Sequence, residues 1–230
     1  MSNAETELKN MLKESFIKIP EKDYLMMKTE VTQKLYESIM GENPSMEKGE
    51  NNPVERVSWY DSIYFCNKLS EKLGLTPVYS VDGETDVSKW DYTPHQKISI
   101  GQKKIEQNTD ASGFRLPTYD EWTYAAKGGE NYKFAGSDKI CEVAWCEYNS
   151  DETTHPVAQK KPNGYGLYDM CGNVNEWVFD FYGSEHRYRC GGSCDDEADY
   201  CKLDVEDFSS AHLRYPSIGI RLVCSPSAFE

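Results

Sequence analysis

A chain of 230 residues, 13% of them aromatic and 28% charged, has ample material for a buried core, and its composition argues against disorder. Its formal net charge of -14 argues against nucleic acid as a partner, because phosphate recognition needs a basic face. No window approaches the roughly 18 uninterrupted apolar residues of a transmembrane helix, so none is expected.

The opening Met-Ser-Asn-Ala resembles a tag-derived scar. Residues 1–15 show no basic, apolar and cleavage regions of a secretion signal and are expected to be disordered or tag-derived. Phe16 to Ile19 reads as a strand. From Lys28 to Met40, Val31, Leu35, Ile39 and Met40 recur at helical spacing; Gly41 and the turn-prone Asn43-Pro44-Ser45 end that helix. Ser58 suits an N-cap with Asp61 at its third helical position, which predicts a helix over Tyr60 to Leu73 closed by Gly74. Val78 to Ser80 and Ile98 to Ile100 are strand-like. A third helix starts at Thr118, carries Trp122, Ala125 and Ala126, and stops at Gly128-Gly129. Asn131 to Asp169 and Gly183 to Ser217 have few periodic signals, and loops that long in a compact domain are usually functional or metal-stabilised. Gly219 to Val223 is a last strand. With no repeat or low-complexity linker, residues 16–230 read as one domain of the α+β class.

Eight cysteines are present: Cys66, Cys141, Cys146, Cys171, Cys190, Cys194, Cys201 and Cys224. None forms a CxxC pair, so zinc-finger spacing is missing. An even count permits up to four disulfides, and buried free thiols fit equally well.

Five blocks in order carry a resemblance: Thr29-Glu30-Val31-Thr32, Asn52-Pro53-Val54, Gly113-Phe114-Arg115-Leu116-Pro117-Thr118 with Glu121-Trp122, Asn163-Gly164-Tyr165-Gly166-Leu167-Tyr168-Asp169-Met170-Cys171-Gly172-Asn173-Val174-Asn175-Glu176-Trp177, and Gly191-Gly192-Ser193 followed by Gly219-Ile220-Arg221-Leu222-Val223. Together they resemble the sulfatase-modifying-factor family, whose type members are formylglycine-generating enzymes. The resemblance runs from about Phe16 to Cys224. It implies an elaborated C-type lectin-like fold: loop-rich, with small twisted antiparallel sheets and a few helices. It also implies a structural calcium ion near Asn173, Val174 and Glu176, where side-chain oxygens and a carbonyl could converge; a hydrogen-bonded turn without metal is the alternative. No organic cofactor is expected.

In the enzymes that this pattern resembles, two cysteines lie three and eight residues after the serine of Gly-Gly-Ser. A thiolate pair suits their chemistry as a soft metal ligand and a redox couple. Counting from Ser193, the eighth position is Cys201 but the third is Asp196. The resemblance therefore implies a non-catalytic member, with a copper- or thiol-dependent oxidase using Cys201 with Cys194 or Cys190 as the alternative. The related iron-dependent sulfoxide synthases need a histidine-rich domain, and this chain has four histidines, none spaced HxxxH. A calcium-dependent glycan-binding lectin is the third reading, although the Glu-Pro-Asn and Gln-Pro-Asp triplets are missing.

Residues 178–218 are similar in arrangement to the variable segment of proteins diversified by retroelements, some of which use this fold. In those, mutation at adenines of asparagine codons rewrites residues ahead of a fixed Gly-Ile-Arg. Changing the first two bases of AAC never yields Lys, Glu, Gln, Met or Trp, and none of the five occurs from Asp207 to Ile218. Glu197, Lys202 and Glu206 break the pattern and must be fixed positions. Candidate contacts are Asp195, Asp196, Asp199, Tyr200, Asp204, Asp207, Phe208, Ser210, His212, Leu213 and Tyr215, extended by Tyr182, His186 and Tyr188. Aromatics supply contact area at low entropy cost, and the aspartates favour a basic or hydroxyl-rich ligand. The expected partner is a protein or glycan, and the expected protein is a monomer at the cell surface or secreted, with a lipid anchor in its native form.

Overall fold

The structure, a computed structural model, describes residues 2–97 and 99–230. The stretch expected to be disordered or tag-derived is helical over Asn3–Ser15. Helix α1 (Asn3–Ser15) opens on a reciprocal capping box: the Ser2 amide donates to Glu5 Oε2 (2.7 Å) and the Glu5 amide to Ser2 Oγ (3.3 Å). It fully buries Leu12 against the core, and Lys9 donates to the Glu230 carbonyl at 3.2 Å. The spacing of Leu8 and Leu12 carried that signal, too briefly to be read as periodicity.

Strands β1 (Phe16–Lys18) and β2 (Leu25–Met27) pair antiparallel, Phe16 opposite Met27. Helix α2 (Gln33–Met40) begins later than the expected Lys28, because the Thr32 hydroxyl caps it by accepting from the Leu35 amide. Val31 belongs instead to extended chain, its amide donating to the Ile220 carbonyl at 2.8 Å. Helix α3 (Trp59–Lys72) has the Ser58 cap and Asp61 box read from sequence. Strands β3 (Tyr79–Val81) and β4 (Ile105–Gln107) form a two-stranded sheet. The expected strand at Ile98 to Ile100 begins on a residue outside the described ones; Ser99 and Ile100 are not in a strand.

Strand β5 (Phe114–Arg115) leads into helix α4 (Tyr119–Lys127), capped by Thr118 and ended by Gly128 in the left-handed region. Short helix α5 (Ile140–Val143) interrupts the long loop that follows. Strands β6 (Asn175–Tyr182), β7 (His186–Cys190), β8 (Asp207–Ser210) and β9 (Ile218–Gly219) make one sheet in the order β8-β7-β6-β9, with β6 and β9 parallel. Strand β10 (Val223–Cys224) completes the other four-stranded sheet, β1-β2-β10-β5. The chain is therefore α+β, with small sheets and few helices. Two short strands lie in 183–217, expected as loop: His186 to Cys190 and Asp207 to Ser210 alternate too weakly to show the period of two.

Two apolar clusters form the interior, and α3 and β6 are locked by a reciprocal pair of indole bonds. Trp59 Nε1 donates to the Val178 carbonyl and Trp177 Nε1 to the Val57 carbonyl, each at 2.9 Å. Both rings are fully buried. Burial of this kind removes water from an aromatic body while leaving its one donor satisfied.

Candidate binding surface

The β6–β7–β8 sheet presents an aromatic cluster on one face. Tyr182 stacks on Phe208 with ring centroids 3.7 Å apart and meets Tyr188 edge-on at 5.4 Å; His186 meets Phe208 edge-on at 5.7 Å. Register explains this: Tyr182 lies opposite His186, and Phe208 opposite Tyr188. Tyr119 from α4 backs Tyr188 at 5.0 Å. On the other face, Arg187 is clamped between the buried Trp59 ring and the exposed Phe181 ring at 4.2 and 3.6 Å.

The remaining candidates lie in β8, in the turns between β7 and β8, and in the loop before β9. Ser210 faces His186 across the ladder, while Asp207 is tied to Arg189 at 2.8 Å. Asp199 is held by Lys202 at 2.6 Å, beside Tyr200, which is 60% exposed. Asp204 lines a separate surface cleft with Lys127, Tyr132, Lys133 and Lys202. In the loop from β8 to β9, His212 and Tyr215 are exposed and Leu213 is half-buried. Asp195 is exposed but accepts from Ser193 Oγ at 2.6 Å. Asp196, expected as a contact, spends its carboxylate internally: Oδ2 accepts from Ser193 Oγ and from Asn175 Nδ2. Of the candidates, Tyr182, His186, Tyr188 and Phe208 come together in one aromatic cluster.

Arg214 was not singled out in the sequence, yet it moors the β8–β9 loop. Its Nε donates to Asp61 Oδ2 at 2.7 Å and its Nη2 to Asp61 Oδ1 at 3.1 Å and Tyr92 Oη at 3.0 Å. Asp61 is fully buried and also accepts from the Ser58 amide and the His95 amide. Burial works to raise its carboxyl, but the hydrogen bonds, Arg214 foremost, outweigh that and hold it below the usual range. The only sequence signal was the capping box, which gave Asp61 a local role and concealed the distant one.

The residues expected around calcium do not converge on a cation. Asn173 Oδ1 accepts from the His155 amide at 3.0 Å, and its Nδ2 donates to the His155 carbonyl. Val174 is fully buried beside them. Glu176 is an ion-pair partner: Arg221 forks onto both its oxygens at 2.7 to 3.0 Å, and Trp122 Nε1 donates to Oε2 at 2.6 Å. No group of three or more His, Cys, Asp or Glu side chains suited to a metal occurs among the described residues. A calcium ion would need oxygens other than those of Glu176. The turn itself demands glycine: a Cβ on Gly172, at φ +73°, would lie 2.1 Å from the Trp145 carbonyl oxygen.

All eight cysteines are free thiols and all but Cys141 are buried. Burial pushes the Cys201 thiol far up and that of Cys194 up to about 12. Cys201 is wedged against the Gly-Gly-Ser turn, its Sγ 2.6 Å from where a Cβ on Gly192 would stand. Protonated, enclosed thiols are poor nucleophiles and poor metal ligands.

Glu55, also unmarked in the sequence, is fully buried on the side of this surface next to Met46 and Glu47. Burial raises its carboxyl to about 7, against the pull of those two backbone amides. Between its ordinary value and about 7 the folded protein holds a proton that the unfolded chain releases, so stability falls as pH rises through that window. Glu55→Gln is expected to raise the melting temperature at about pH 8 by roughly 2–4 °C and to change it little below about pH 4.5. Thermal melts at the two pH values check this, and an equal shift at both would contradict it.

Three comparisons bear on this surface. Residues 5–226 match the family described as sulfatase-modifying factor enzyme 1-like domain. The solved structure of Treponema denticola variable protein 1 superposes with a TM-score of 0.82 at 35% identity, over 92% of this chain and 91% of that one. The Paenibacillus barcinonensis protein named chaperone protein LppX is 37% identical over 88% of this chain and 80% of its own length. The formylglycine-generating enzyme of Mycobacterium tuberculosis is 37% identical over 42% of this chain and 37% of that enzyme. No described helix is long and apolar enough to cross a membrane.

Proposed function

Since this chain belongs to the sulfatase-modifying factor enzyme 1-like family and has its C-type lectin-like fold, we propose that it is a non-catalytic, ligand-binding member of that family. Its rigid scaffold presents the segment 178–218 as a diversified patch, at the cell surface or secreted. One observation carries the reading. Of the nine exposed large hydrophobic residues among the described ones, five (Phe181, Tyr182, Tyr200, Phe208 and Tyr215) fall within this segment of 41 residues. Two of them, Tyr182 and Phe208, stack on one face of the sheet; exposed apolar clusters mark interaction surfaces, and aromatics are the side chains that anchor them.

The likeness to a protein named as variable supports diversification, and the likeness to one named as a chaperone supports a polypeptide ligand. Asp196 at the position of the enzymes' first thiol, turned into Ser193 and Asn175, supports the absence of redox chemistry. The test is to sequence the gene's neighbourhood for a near-copy of the stretch encoding Trp177 to Arg221 beside a reverse transcriptase. A near-copy differing only at adenines is the expected result. Its absence, together with copper-dependent oxidation of a cysteine-containing peptide by the purified chain, would overturn both halves of the proposal.

A further inference from the structure

The pleat of the β6–β7–β8 sheet sorts its charges by face. Side chains alternate along a strand, so His186 and Tyr188 point to one side of β7 and Arg187 and Arg189 to the other. Those two arginines are the only cationic Lys or Arg side chains in the three strands. Both are engaged on their own face, Arg187 between two rings and Arg189 by Asp207. These strands therefore give the aromatic face no lysine or arginine.

That face does carry negative charge. Asp180, from β6, accepts the Tyr119 amide at 2.7 Å through Oδ2, beside the ring that backs Tyr188. Glu206, two residues before Phe208, is exposed. Removal from water first, then Glu206, Tyr182 and Asp180, raises the Tyr188 hydroxyl above its ordinary value, and no cation pulls the other way. Beside these carboxylates are rings open to solvent: Tyr182 and Phe208 stay 41% and 39% exposed although they stack on each other. Exposed ring faces with carboxylates next to them are the two parts that a bound cation needs, one for its charge density and one for its counter-charge.

We propose that the aromatic face of β6–β7–β8 binds a polypeptide through an arginine side chain laid on the Tyr182–Phe208 pair, with Glu206 and Asp180 as its counter-charges. A guanidinium is planar, so it stacks on a ring while its edge donates to a carboxylate; a compact, strongly hydrated ammonium does this less well. The opposite face shows the fit within the chain itself, where the Arg187 guanidinium rests 3.6 Å from the centre of the Phe181 ring. An uncharged glycan would use the rings and leave the negative charge unneutralised. The source of the arginine rests on reading segment 178–218 as a partner-binding surface; the preference for a guanidinium rests on this face alone.

The experiment titrates the full chain with acetyl-Gly-Arg-Gly-amide and with its citrulline twin, which keeps the shape and lacks the charge, followed by amide chemical shifts. Saturable shifts at Tyr182, Tyr188 and Phe208 are expected with the arginine peptide, and the citrulline twin should bind about tenfold more weakly. Tyr182→Leu, which keeps an apolar side chain but removes the ring, should weaken arginine binding about fivefold with little change in melting temperature. Glu206→Gln, at an exposed position, should weaken it about threefold. Because the citrulline comparison uses the unaltered protein, no loss of folding can imitate it. Equal binding of the two peptides, no saturable shift with either, or full affinity in both variants would overturn the inference. A failed titration beside a successful near-copy search removes the arginine site and leaves the diversified patch standing. Arginine-selective shifts without a near-copy keep the site and remove its diversification.

Discussion

Arg221→Met is expected to destabilise the protein by about 3–5 kcal/mol, the cost of removing one partner from a buried ion pair. The guanidinium is fully buried, and besides Glu176 it serves the Met27 carbonyl at 3.0 Å and the Tyr168 carbonyl at 2.7 Å. Two further buried carboxylates surround it. Burial first, and then the charge of Asp169, holds Glu30 well above the ordinary carboxylate range. Asp169 is itself raised to about 6, chiefly by burial, with Arg221 pulling the other way. Without Arg221, the carboxylates lose the cation buried among them, Asp169 keeps only the pull of Lys160 and its own hydrogen bond, and taking up a proton relieves it as pH falls. The loss should therefore shrink as pH is lowered from about 8 toward about 5. Urea unfolding across that range reads it directly. A loss under about 1 kcal/mol, or one that grows at low pH, would mean that Arg221 is not the counter-charge of this group.

Asp61→Ala should have the second-largest effect, about 3 kcal/mol or more, because it strands Arg214 and the Ser58, Tyr92 and His95 donors together. Arg214→Ala should cost less, about 1–2 kcal/mol, since Arg214 is partly exposed and its loss leaves the other Asp61 bonds in place. A double-mutant cycle then gives a coupling of about 1 kcal/mol or more; additive losses would show that the two are independent. The sign with pH follows from the depressed Asp61 carboxyl. Its contribution is present above about pH 4 and is lost as pH falls further, so Asp61→Ala should cost least in acid. Amide exchange of residues 211–217 should rise in Arg214→Ala even where global stability is nearly kept.

The parts of the fold governed by local chemistry were legible. Ser58 with Asp61, and Thr118 with Glu121, are capping boxes, and Gly41 and Gly128 close their helices in the left-handed region as read. Strands set by distant pairing were not. Leu25 to Met27 gains its structure from β1 and β10, and its apolar residues run on into the periodicity of α2. The aromatic candidates Tyr182, Tyr188 and Phe208 were identified by residue type alone, and only the β6–β7–β8 register shows why they meet. The second role of Glu176 was hidden for a related reason. A carboxylate beside a turn looks like a cation ligand until Arg221, 45 residues on, is placed against it. Likewise Arg214 reads as one more loop residue unless Asp61, 153 positions earlier, is known to be its partner.

Strand β10 lies between β2 and β5, so residues 223–224 close a sheet whose other strands come from the first half of the chain. Nearly everything must therefore leave the ribosome before that sheet can zip, and the ring closure it requires spans about two hundred residues. Such long-range closure makes for slow, late folding. The segment 178–218 is synthesised just before that closing element; were it the diversified patch proposed for it, each version would spend its first moments tethered to a nascent, unfinished protein. Variants with sticky aromatic patches would then be culled by chaperones and proteases during assembly, a filter on repertoire that acts before any ligand is met.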